Sequence, residues 1–440
     1  MASLSARLSL LLEAATGGFY VSITRGFLIV MLSYAGYNLK LLSLLFLLQA
    51  VLSVVVCIVM YYRPIARAGN NARLHKLTVF FHILERILWM CLPILVPFKT
   101  LEIILSCAAM VCTTPVGVLL NYLVYSQFRG AEAVDVVSKR FAFGSASSIV
   151  GSILGMAMIW AVHSYLVYII LYLLAGAVGL VGSVAVFLMH YAPREELWEQ
   201  PQPLIEVEIR KVNAFLFLIL YCASINILYI MWIPFLKSIG ASQTVAASLA
   251  VLGPVGTIVG SILWRTPTRC RLAMLLLVFS IVPILLVRSV PVQLVLYLLF
   301  SIASISGFLM SALVYSTYTK EIGVFKVSIL SQLGYEAGVA IASMLVLVIT
   351  AFTELYIATL ILAGLSMFVA YVAIPEFSIL PERVAVYYAR IVYSASITSL
   401  TYTVLITREA AYLFMRALAI TFLITFIYLL YHLLAILLVI

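Results

Sequence analysis

Leu123-Val124-Tyr125-Ser126 closes one long apolar segment, and Leu313-Val314-Tyr315-Ser316 closes another. After the first comes a polar turn carrying Lys139 and Arg140, then an apolar segment around Gly144. After the second come Lys320, Glu321 and Lys326, then a segment around Gly334. The tetrapeptides and the glycines share one offset of 190 positions. A four-residue word recurs by chance in so apolar a chain, but a fixed offset through segment, turn and segment marks a repeat. Arg63 and Arg67 after one segment, and Arg265 and Arg269 after another, add a pair offset by 202. The chain reads as two homologous halves joined in the middle.

Of the 440 residues 65% are hydrophobic and 10% charged, with a mean hydropathy of +1.21. That is more apolar surface than a soluble core can bury, so the chain is an integral membrane protein. Apolar runs of about twenty residues between short charged turns match helices crossing a hydrocarbon layer of ~30 Å. The alternating ten-residue pattern of a membrane β-barrel is absent. The net charge of +10 comes from basic residues spread over turns, with no run of five; they read as topology signals, and nucleic acid is not an expected partner. Cys57, Cys91, Cys107, Cys112 and Cys222 lie in apolar segments and Cys270 in a basic turn, without a CxxC pair. They read as small core residues, with no metal site. The N-terminus shows no compact apolar region with a cleavage site, so a cleaved signal peptide is not expected.

Spans are expected near 10–34, 41–62, 77–97, 101–125, 141–162 and 165–189, giving a six-helix half over 1–190. A linker over 191–211 holds Glu195, Glu196, Glu199, Glu206 and Glu208. A second six-helix half over 212–375 has spans near 212–235, 242–263, 272–289, 292–316, 327–350 and 355–375. The remainder, 376–440, adds one or two helices: 381–406 suits an interfacial amphipathic helix or a poor span, and 411–438 a span. Basic residues cluster after the even-numbered spans, which puts the N-terminus and the linker in the cytoplasm. The expected fold is an all-α polytopic membrane protein of two pseudo-symmetric six-helix bundles.

Six plus six spans, a central cytoplasmic linker and basic turns after spans 2 and 8 together resemble the major facilitator superfamily, over about residues 10–375. That family carries G-x-x-x-D-R-x-G-R-R between spans 2 and 3. Ala66-Arg67-Ala68-Gly69-Asn70-Asn71 matches it at Arg67 and Gly69, while Tyr62 stands for the leading glycine and Ala66 for the aspartate. In the second half Thr268-Arg269-Cys270-Arg271 keeps the arginine. The chain thus resembles a divergent member. The resemblance implies that spans 1, 4, 7 and 10 line a central cavity open alternately to either side, that Arg67, Gly69 and Arg269 act in gating or structure, and that a monomer holds a complete pathway.

Polar side chains inside these spans point the same way, because such groups face protein or water rather than lipid. Tyr20 and Arg25 in span 1, Thr113 and Asn121 in span 4, Tyr221 and Asn226 in span 7, and Ser304 in span 10 form a candidate substrate path. A guanidinium in mid-span costs about 3 kcal/mol on insertion scales. Arg25 therefore either holds an anionic or polar substrate group or pairs with a carboxylate such as Glu85. Glu336, in Gly334-Tyr335-Glu336-Ala337-Gly338, is a proton-coupling candidate or a static hydrogen-bonded carboxyl. His82, Glu85 and Arg86 share one face of span 3, read as internal pairing with a structural role. No zinc-protease, phosphate-loop or nucleophile-elbow motif occurs, so no enzyme and no cofactor are expected.

The function expected is secondary or facilitative transport of a small solute across the cell membrane, with protons as the candidate co-ion. The alternative is translocation of a lipid or lipid-linked saccharide.

Overall fold

The computed structural model describes residues 2–62, 71–128, 130–162, 164–189, 204–264, 266–349, 351–374, 377–381 and 383–398. Arg67 and Gly69, the linker acids Glu195, Glu196 and Glu199, and the expected span 411–438 lie outside the described residues. The described residues hold helices joined by turns and no strand. Eleven stretches are long and apolar enough to cross a membrane.

The first half runs α1 (Ala2–Thr24), α2 (Leu28–Tyr34), α3 (Leu39–Tyr62), α4 (Asn71–Leu95), α5 (Lys99–Gln127), α6 (Gly130–Ala161) and α7 (Leu166–Phe187). The second runs α8 (Leu204–Ser238), α9 (Gln243–Ala247), α10 (Leu249–Leu263), α11 (Pro267–Leu286), α12 (Val290–Ile322), α13 (Val324–Val348) and α14 (Phe352–Ala373). A further helix, α15, covers 383–398. The short α2 completes span 1 and α9 leads into α10; among the described residues six of the eleven spanning stretches lie in the first half and five in the second, α11 not being one of them.

Three differences from the sequence reading matter for the site. Span 1 is not continuous: the peptide N–H groups of Arg25 and Gly26 both reach the Val21 carbonyl, at 2.9 and 3.2 Å, and the helix restarts at Leu28. A Cβ at residue 26 would stand 2.2 Å from the Ser22 carbonyl oxygen, so glycine permits the break. Second, α6 starts at Gly130, which makes Lys139 and Arg140 helical rather than turn residues; in the other half α12 reaches Ile322 and takes in Lys320 and Glu321. Third, α8 begins at Leu204, so Glu206 and Glu208 are helical.

Glycines set how closely helices approach, as expected where lipid offers no competing hydrophobic drive. A Cβ on Gly18 would lie 2.0 Å from the Gly144 carbonyl oxygen, and one on Gly151 would lie 2.4 Å from Ser22 Oγ, so α1 and α6 meet backbone to backbone. Gly334 and Gly338 press α13 onto Leu218 and Cys222 of α8 in the same way. Gly144 and Gly334, the glycines of the 190-residue repeat, thus both seat the fifth span of a half on its first. The halves themselves meet where α3 and α5 lie along α13, and where α6 lies along α10. At one end of the second half, Asn213 Nδ2 donates to the carbonyls of Ala373, at 3.3 Å, and Ala389, at 3.0 Å, and so ties α8, α14 and α15 together.

Candidate functional site

The break in span 1 presents Arg25 to α4 and α5. Its Nη2 donates to Glu85 Oε1 at 3.0 Å and to Thr113 Oγ1 at 3.4 Å, and its guanidinium lies 5.8 Å from the centre of the Trp89 ring. Glu85 is fully buried and also accepts from Tyr20 OH and Thr113 Oγ1, both at 3.2 Å, while Arg86 pairs with its other oxygen. Arg86 lies 4.5 Å over the Tyr20 ring, a cation–π contact. Gly179 makes the room, since a Cβ there would stand 2.9 Å from Arg86 Cγ.

The network continues inward. Arg86 Nη2 lies 3.1 Å from His82 Nε2. The same Nε2 lies 3.4 Å from Glu13 Oε1, and Nδ1 lies 2.7 Å from Ser183 Oγ, so the ring bridges Arg86, Glu13 and Ser183. Beyond it, Glu13 accepts from Arg140 Nη2 at 2.7 Å. Two acids and three guanidiniums are therefore gathered inside one half, on α1, α4 and α6 and at the α1–α2 break. One member keeps an open side: the Arg25 side chain is 37% exposed, and its Nε has no partner.

Across the boundary α13 brings Gln332 and Glu336. Gln332 Nε2 donates to Glu336 Oε1 at 2.8 Å, and Glu336 is 1% exposed with Oε2 unpartnered. A Cβ on Gly117 of α5 would meet Gln332 Oε1 at 3.0 Å, and nearer the end of α5 Tyr122 packs edge-on against Phe325. Moving forward along α5 therefore means moving backward along α13, so the two helices are antiparallel. Thr113, one turn before Gly117, stands level with Glu336, one turn after Gln332. Arg25, through its contact with Thr113, and Glu336 therefore stand at about the same depth on the two sides of the boundary.

The other expected path residues are more deeply set. Tyr221 is fully buried, stacked on Phe217 and edge-on to Phe308, with its ring filling the space over Gly307. Asn226 turns its amide back to the Cys222 carbonyl at 2.8 Å, and Ser304 donates to the Ser301 carbonyl at 3.2 Å. Asn121 is half-buried on α5. Arg269 is exposed in the first turn of α11, where its backbone N–H is capped by Thr266 Oγ1 at 3.4 Å. The structure thus brings Tyr20, Arg25, Glu85 and Arg86 into one network, with Glu336 facing it, and leaves Tyr221, Asn226 and Ser304 between α8 and α12. Sequence reading placed Arg140 in a turn and did not single out Glu13; a mid-span acid in need of a cation was the available signal.

The ends of α2 and α8 close one face of the boundary. Lys237 Nζ donates to the Ser33 carbonyl at 2.6 Å and lies 5.1 Å from the Tyr34 ring centre; Tyr34 OH donates to the Ala241 carbonyl at 2.8 Å. Gln243 bonds Tyr168 OH beside them. Among the described residues no group of three His, Cys, Asp or Glu side chains is placed to hold a metal ion.

No family model matches this sequence, and no curated protein does. Solved structures do match its fold. A bacterial homologue of the iron transporter ferroportin, in an outward-facing state, superposes with a TM-score of 0.60 at 13% identity, covering 84% of this chain and 98% of its own. The E. coli fucose:proton symporter FucP gives 0.60 at 12% identity over 89% and 99%. The nucleoside transporter NupG gives 0.56 at 14% identity over 84% and 98%. The chain is a multi-pass membrane protein with the two-bundle major facilitator fold that its sequence resembled.

Proposed function

We propose that this protein is a secondary or facilitative transporter that carries a small solute across the cell membrane by alternating exposure of a site between its halves. The observation that carries the reading is the partly open Arg25 at a helix break, level with the buried Glu336 of the other half. Broken helices at mid-membrane are where transporters of this general build hold their cargo, and the fold neighbours are carriers of iron, fucose and nucleosides. Arg25 is the substrate-binding group; Tyr20, Glu85 and Arg86 fix its position. Asn121, Tyr221, Asn226 and Ser304 line the path once the bundles part, and Glu336 is the proton-coupling group. The face where α1 begins is cytoplasmic, following the basic turns, so the Lys237 contacts close the external side.

The test is uptake of labelled metabolites into proteoliposomes. A solute taken up by the parent and not by Arg25→Ala, with Arg269→Ala unaffected, is the result expected. Equal uptake by the parent and Arg25→Ala would remove Arg25 from the site.

A further inference from the structure

A recess of about 190 Å³ opens between α3, α4 and α5, walled by Val55, Val59 and Met60, by Leu77 and Phe81, and by Leu119. Every side chain that lines it is apolar. Val55 and Val59 continue the exposed stripe of Leu48 and Leu52 on α3, and Phe80 and Ile83 form the matching stripe on α4 beside Leu77 and Phe81. The recess therefore opens toward the hydrocarbon. Water gains nothing in it, since an apolar cavity without hydrogen-bond partners stays dry. In a bilayer an acyl chain is the group at hand to fill it, and filling it recovers the dispersion contacts that an empty recess forfeits.

Its shallow end is basic. Met60 is followed by Tyr61 and Tyr62, packed edge-on at the end of α3, and tyrosines of this kind mark headgroup level. The exposed Lys76 stands one position before Leu77 on α4, within a turn of the recess. The exposed Lys326 of α13 lies 5.8 Å from the centre of the Tyr61 ring. The sequence from Arg63 to Lys76 has four basic residues and no acid, and that from Lys320 to Lys326 has two and one, so both stretches are net positive. Farther along, the first acids of α4 and α13 are Glu85 and Glu336, both buried.

We infer that this recess is a binding site for an anionic phospholipid, one acyl chain seated between α3, α4 and α5 and the phosphate drawn to the lysines at its shallow end. A zwitterionic lipid fills the recess equally well and answers the lysines less, because its own amine offsets the phosphate charge. The lipid also has a structural consequence. Met60, Leu77, Phe81 and Leu119 belong to the same cluster as Phe325 and Ile329 of α13. A chain in the recess backs the side chains through which the two halves touch at this face, so its binding stabilises the protein. The inference does not depend on what the carrier moves.

The experiment uses the delipidated full chain in a non-ionic detergent, titrated with phosphatidylglycerol or with phosphatidylethanolamine of the same acyl chains. Native mass spectrometry counts the lipid retained, and thermal shift reads stabilisation. Phosphatidylglycerol is expected to be retained as one molecule, to bind more tightly than phosphatidylethanolamine and to raise the melting temperature. Lys76→Gln and Lys326→Gln should each weaken phosphatidylglycerol binding by roughly fivefold and leave phosphatidylethanolamine unchanged. Val59→Trp, at a position 52% exposed where an indole can occupy the recess, should remove the retained lipid; Val184→Trp, on α7 and 55% exposed, should keep it. Equal affinity of the parent for the two lipids, unchanged phosphatidylglycerol affinity when both lysines are replaced, or equal retention by Val59→Trp and Val184→Trp would each overturn the inference. Solute uptake bears on the transporter reading alone: a chain that moves no solute but retains phosphatidylglycerol in this pattern leaves the lipid site standing.

Discussion

Lys237 donates to the carbonyl of Ser33 at 2.6 Å, and the two residues hold the same place in their respective halves. Each stands three positions before a glycine in the left-handed region, Gly36 at φ +89° and Gly240 at φ +88°. Each glycine closes a C-terminal cap, with Tyr37 N–H reaching the Leu32 carbonyl at 2.9 Å and Ala241 N–H reaching the Leu236 carbonyl at 3.0 Å. The pseudo-twofold relation between the bundles thus brings equivalent turns of spans 1 and 7 together at one face. A contact between symmetry-equivalent positions is suited to open and close as the halves rock.

Removing that contact should favour the state open at this face. Lys237→Met with Tyr34→Phe deletes two hydrogen bonds between the halves, each worth about 1 kcal/mol, so the open-to-closed ratio should rise by roughly fivefold per bond. Thiol labelling of a cysteine placed at Tyr168 reads it; unchanged labelling in the double variant would show that these bonds do not hold the face shut.

Glu85 is the pivot of the buried network, holding Arg25, Arg86, Tyr20 and Thr113 together. Glu85→Gln should destabilise the fold by about 3–5 kcal/mol, because it strands guanidiniums inside the bundle. Melting in detergent checks this, with the exposed Glu354→Gln as a control expected to stay close to the parent.

The glycine contacts predict opposite signs at two positions. Gly18→Ala places a methyl 2.0 Å from a backbone oxygen and should cost about 1–3 kcal/mol by forcing α1 from α6. Gly364→Ala meets nothing within 4 Å and should stabilise α14 by about 0.5–1 kcal/mol through lower chain entropy. Melting temperatures that fall for both would contradict the packing described.

Much of this was legible in the sequence, and the reasons differ by feature. Hydropathy sets span number, and the offset shared by Gly144 and Gly334 announced the repeat because both glycines answer one packing demand, the fifth span on the first. Arg25 and Glu336 stood out because charge in mid-span is rare and needs a reason. The partner of Arg140 was not legible: helical spacing relates residues on one helix, and Glu13 lies 127 positions away. The break at Arg25 was hidden for a similar reason, since Gly26 within an apolar run reads equally as a packing glycine.

The central claim is that the halves alternate about Arg25 and Glu336, and distances between paired spin labels on a cysteine-free background measure it most directly. One pair, Asn38 with Ser242, spans the closed face, and the other, Lys139 with Arg269, spans the opposite face; all four positions are exposed. The account predicts two distance populations for each pair that shift in opposite senses when a solute taken up by the parent is added, one face lengthening as the other shortens. A single fixed distance for both pairs under every condition would contradict it.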